Sequence, residues 1–88
     1  MDLCAMNVQV YVVPAGIWVM NRDTGESSPT TASKCYIVSE QDGKSQYPID
    51  GKKLCKLFTN RDGTSISPRD LQMGRRYPIR RRHEMATA

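Results

Sequence analysis

Residues 33–58 read "SKCYIVSEQDGKSQYPIDGKKLCKLF", and a change of period inside this stretch decides the fold class. Its first half alternates about Asp42-Gly43, a dipeptide that supplies the positive φ angles of a two-residue type I′ hairpin. Counting outward from that turn pairs Val38 with Tyr47 and Tyr36 with Ile49 on one face. Both pairs join an aromatic to a β-branched side chain, a combination that stabilises antiparallel strands. Pro48 has no N–H to give to a ladder, so the hairpin is expected at a sheet edge. From Asp50 the period lengthens. Leu54, Leu57 and Phe58 stand at i, i+3 and i+4, with Lys52, Lys53 and Lys56 largely on the other side. That pattern predicts a short amphipathic helix with Asp50 as its N-cap. A hairpin feeding a helix places the chain in the α+β class.

Upstream, "NVQVYVV" (7–13) puts Val8, Val10 and Val12 on one face of a strand. Pro14 and Gly16 punctuate a turn, and "IWVM" (17–20) resumes as a second strand with Trp18 as a core anchor. "NRDTGESSPTT" (21–31) reads as a loop of turn formers. Downstream, "NRDGT" (60–64) ends the helix and "SIS" (65–67) adds a brief strand. "SPRDLQMG" (67–74) reads as one or two helical turns, capped by Ser67, with Pro68 at its first position and Gly74 as its stop. The expected architecture is a small antiparallel sheet or partly open β-barrel with one or two short helices and a basic C-terminal segment. Eighty-eight residues suffice for one domain, taken as residues 6–73. Residues 1–5 are expected to be a disordered extension, with Met6 as an alternative start, and residues 74–88 an Arg-rich segment or tail.

An apolar fraction of 39% and a charged fraction of 25% are those of a folded, soluble chain. The longest apolar runs, "VYVV" (10–13) and "IWVM" (17–20), fall far short of the roughly 20 residues a bilayer needs. Asp2 stands where a signal peptide carries positive charge, so a cytoplasmic protein without membrane association is expected. Three cysteines at wide spacing do not make a disulfide framework. Cys35 and Cys55 lie among apolar residues and read as buried free thiols.

Chemistry is thinly provided for. "DGKS" (42–45) resembles the tail of a phosphate-binding loop, but position 38 is valine where that loop needs glycine. Three dispersed cysteines and His83 do not supply a zinc site, and "NRDTGESSPTTA" (21–32) lacks the closing acid of a calcium loop. His83 follows three arginines with nothing to position it as a base. A non-enzymatic protein without cofactor or metal is expected.

The charge distribution carries the functional signal. Residues 1–50 hold three basic residues against six acids, a net of −3, whereas residues 51–88 hold ten against three, a net of +7. Such asymmetry between halves is the footprint of a polyanion partner. Every basic residue after position 60 is arginine: Arg61, Arg69, Arg75, Arg76, Arg80, Arg81 and Arg82. Guanidinium matches phosphate or carboxylate bidentately, which a merely solubilising tail does not require. Tyr77 stands among these arginines as a stacking ring would in a single-stranded groove, or else packs on the core with Ile79 from an edge strand. Arg75, Arg76, Tyr77, Arg80, Arg81 and Arg82 are therefore the candidate nucleic-acid contacts, with Lys52, Lys53 and Lys56 extending the basic surface.

Three functions fit. The first is a small DNA- or RNA-binding protein, of the regulatory kind carried by mobile elements. The second is a phage-type inhibitor that binds an acidic or nucleic-acid-handling host protein through an edge strand and a basic arm. The third is a structural subunit of a ribonucleoprotein.

Overall fold

The hairpin and helix of residues 33–58 are both present in the computed structural model, which describes residues 8–40 and 45–82. Strands β4 (Tyr36–Ser39) and β5 (Gln46–Ile49) pair antiparallel in the expected register, Val38 opposite Tyr47 and Tyr36 opposite Ile49. The Asp42-Gly43 turn itself lies outside the described residues, as do Cys4, Met6 and His83. The Glu40 amide donates to the Ser45 carbonyl at 2.9 Å, so hydrogen-bonded pairs alternate from there and Ile37–Pro48 is a non-bonded pair. The nitrogen of Pro48 therefore faces the open side of β5, and β5 is indeed an edge strand.

Five strands form the main sheet in the order β5-β4-β1-β7-β6, with β1 at Gln9–Val12, β6 at Phe58–Asn60 and β7 at Arg76–Arg81. Helix α1 (Gly51–Leu57) carries the chain from one edge of this sheet to the other. The Asp50 carboxylate accepts from the Lys53 amide at 2.7 Å, the cap expected from the sequence. Seven helical residues rise about 10 Å, whereas four inter-strand spacings cover about 19 Å. The crossing is possible because the sheet twists and coils round the helix. It does not close, and β5 and β6 remain its two edges.

The core lies between α1 and one face of the sheet. Val10, Val38, Ile49 and Ile79 come from the strands, Leu54 from the helix, and Ile66 from the connection before the 3-10 turn Pro68–Asp70. Phe58 is fully buried, but as the first residue of β6. Its amide donates to the Leu54 carbonyl and closes the helix, so the apolar spacing at 54, 57 and 58 spans a helix–strand junction and Leu57 stays exposed. "SIS" is not a strand, although Ile66 plugs the core. Ser67 precedes the 3-10 turn without a side-chain capping bond, and Gly74 serves a tight turn before β7 at φ +86° rather than a helix stop.

Two further departures matter for function. Residues 76–81 are an interior strand, hydrogen-bonded to β1 on one side and β6 on the other. The basic segment therefore belongs to the sheet from Arg76 to Arg81, and position 73 does not divide a domain from a tail. Nor is β7 an edge strand. Its Pro78 is accommodated because β6 ends at Asn60, opposite Ile79, so no ladder bond is asked of position 78 on that side. The second departure is a separate two-stranded ribbon, β2 (Trp18–Met20) with β3 (Ser27–Pro29), inserted between the paired strands β1 and β4. Ser27–Pro29 falls in what reads as a loop, because tertiary pinning overrides its weak strand propensity. The buried Thr30 hydroxyl accepts from the Ile17 amide at 3.0 Å and donates to the Pro14 carbonyl at 2.8 Å, fixing the base of the ribbon. The ribbon lies against β5, on the side of the sheet away from α1, where Ile37 is fully buried apart from the main core.

Candidate functional site

Strand β7 sorts the arginines by the alternation of its side chains. Tyr77, Ile79 and Arg81 face the helix side, and Ile79 is only 1% exposed. Arg76, Pro78 and Arg80 face the opposite side.

Arg81 is tied down. It forms an ion pair with Glu40 and lies over the Phe58 ring at 5.1 Å. Glu40 also accepts from the Tyr47 hydroxyl at 2.7 Å. Burial, reinforced by that bond to a carboxylate and by its charge, pushes the Tyr47 phenol up to about 12, an effect Arg81 partly offsets. Arg82 is committed as well. Its Nε donates to the Cys55 carbonyl at 2.8 Å and its NH2 reaches Ser65 Oγ at 3.4 Å, joining the end of β7 to the helix. Tyr77 packs against the core and its hydroxyl accepts from the Gln72 amide at 3.0 Å, so its ring is not a free stacking platform.

Arg75, Arg76 and Arg80 are exposed. Arg76 lies 4.3 Å above the Tyr11 ring and donates to Gln9 Oε1 at 3.3 Å. Arg80 donates to the carbonyl of Arg61 at 3.2 Å, so the turn after β6 adds its backbone to the same side. Lys52, Lys53 and Lys56 are exposed on α1, across the sheet from Arg76 and Arg80. The lysines therefore do not extend the arginine surface. Lys52 borders a separate groove of about 530 Å³, where it and Arg69 meet Tyr36 and Cys55.

The two cysteines described are free and half-buried rather than fully buried. The Cys55 thiol donates to the Ile66 carbonyl at 3.2 Å, and Cys35 approaches the Ala32 carbonyl at 3.7 Å. Burial, with the neighbouring Cys35 and Cys55 adding to it, raises the Tyr36 phenol.

On the arginine side, a cleft of about 350 Å³ opens between the ribbon and the sheet. Tyr11 and Gln46 form the sheet wall, bonded to each other at 2.6 Å, and Trp18, Met20 and Arg22 border it from the ribbon. Trp18 is 67% exposed and Met20 55%. The indole is not the core anchor its apolar neighbours suggest: in β2 only Val19 is partly buried, and Trp18 stands exposed where it borders the cleft. Tyr11 was legible as lying opposite the Val8–Val10–Val12 face, but its pairing with Arg76 depends on a contact 65 positions away. No family model, curated protein or solved structure matches the chain.

Proposed function

We propose that this protein is a small non-enzymatic nucleic-acid-binding protein, of the regulatory type carried by mobile elements, that holds phosphates on the sheet side bearing Arg76 and Arg80. The observation that carries this reading is the Arg76 guanidinium stacked on Tyr11, with Arg80 four residues along the strand on the same face and Arg75 just before it. A guanidinium held over a ring is pre-oriented yet keeps donors for phosphate. The charge imbalance of the second half supports the same partner.

Salt titration tests it. Three phosphate contacts, by Arg75, Arg76 and Arg80, give a slope of log K against log salt of about −2 to −3. Arg76→Gln with Arg80→Gln reduces that slope by about 1.4 to 1.8. Oligonucleotide affinity undetectable near 100 mM salt, or a slope unmoved by the double variant, sinks the proposal.

One observation favours a second reading. Ile17, Trp18 and Met20 together leave an apolar strip on the ribbon, which suits an inhibitor docking on an acidic or nucleic-acid-handling host protein. With Arg76–Arg81 inside the sheet, such a partner would meet the ribbon rather than a basic arm. A partner retained after nuclease treatment, by a protein that binds no oligonucleotide, would put this reading first.

A further inference from the structure

We propose that the cleft between the ribbon and the sheet is a base-stacking site for single-stranded nucleic acid, with Trp18 as its platform. This rests on the nucleic-acid reading above and narrows its ligand class.

Trp18 is the only tryptophan of the chain, and two-thirds of it stands in water although burial of such a ring is strongly favourable. Arg22 borders the cleft from the ribbon, Arg76 covers the ring of its Tyr11 wall, and among the described residues no carboxylate lines it. An apolar ring between cations suits a ligand that presents bare π-faces and phosphates together. A single strand does so, with stacking on the ring and guanidinium at the backbone. Polypeptide partners offer apolar surface but no regular anionic backbone.

Size and chemistry argue against a duplex. A cleft of about 350 Å³ is at the small end of ligand sites and takes a splayed base rather than a helix. Paired bases also hide their faces in the stack. A two-stranded ribbon can enter a major groove, but the exposed strand residues here are Trp18, Met20, Ser27 and Pro29. These lack the Arg, Asn or Gln donors that read base edges.

Trp18 is its own reporter. Oligo-dT, oligo-rU and a blunt DNA hairpin are titrated into the intact chain while tryptophan emission is followed. Saturable quenching by dT or rU is expected, stronger for whichever polymer fits better, with weaker binding and little quenching by the hairpin. Trp18→Ala is expected to weaken single-strand binding by about 5- to 150-fold and Trp18→Phe by much less. Because Trp18 is exposed, both variants should melt with the parent protein. Single strands that bind without changing Trp18 emission, or as tightly to Trp18→Ala, overturn the stacking site and leave the wider reading standing. Preference for the hairpin does the same. Binding to neither, with the cleft taken instead by a protein, overturns both.

Discussion

Strand β7 carries arginine on both faces, and the two faces treat the same side chain differently. Arg81 gives its charge to Glu40 and its plane to Phe58, inside the molecule. Arg76, five residues earlier, lies on Tyr11 and keeps its outer face in water. Charge counting treats the two alike. The alternation of a strand, and the partner each residue meets across the sheet, separates a structural arginine from one available to a ligand. Of six candidate contacts between Arg75 and Arg82, three remain exposed for that purpose.

The harshest way to break the comparison is to remove the strand that makes it. Ending the chain at Gly74 deletes β7, leaves β1 and β6 without the strand that pairs with both, and takes Ile79 out of the core. The truncated chain is expected to lose its cooperative thermal transition and its dispersed amide spectrum. A truncated protein that still melts cooperatively would return residues 76–81 to the status of an appendage, and with it the distinction between the faces.

A gentler test exchanges the two arginines separately. Arg81→Met leaves Glu40 without its cation, and is expected to cost about 2 kcal/mol of stability with little change in oligonucleotide slope. Arg76→Gln is expected to shift stability by less than about 0.5 kcal/mol, as surface changes do, while weakening oligonucleotide binding. Denaturant melts and salt titrations on both variants make the pair decisive. Equal stability losses, or an Arg81 variant that alone weakens binding, would erase the contrast.

How much of this was legible in the sequence depends on whether the signal is local. The register of residues 36–49 and the Asp50 cap could be read because turn chemistry and side-chain period act within a few residues. The separation of the lysines from Arg76 and Arg80 could not, since it arises from α1 covering one side of a sheet whose strand order brings residues 9–12 beside residues 76–81. Trp18 misled for a related reason. Its apolar neighbours suit a buried strand, but the Thr30 hydroxyl bonds that make a ribbon of β2 and β3 join residues 13 and 16 positions apart.

The smallest effect sharpens the structural half of the comparison through pH. Tyr47 shares Glu40 with Arg81, and its folded-state pKa is pushed up to about 12 from the ordinary value near 10, first by burial and then by Glu40. Between those two values the unfolded chain has lost the phenolic proton while the folded chain retains it. More protons are then bound in the folded state, so stability falls as pH rises. The contribution is complete below pH 10 and is lost progressively between about 10 and 12. The informative quantity is the difference between the parent and Tyr47→Phe. The variant is expected to start about 1 kcal/mol less stable at neutral pH, having lost the bond to Glu40. Its stability should then decline less steeply, so that the two curves converge above pH 10. Parallel curves would mean that Tyr47 does not titrate with folding, and that Glu40 holds Arg81 without the phenol's help.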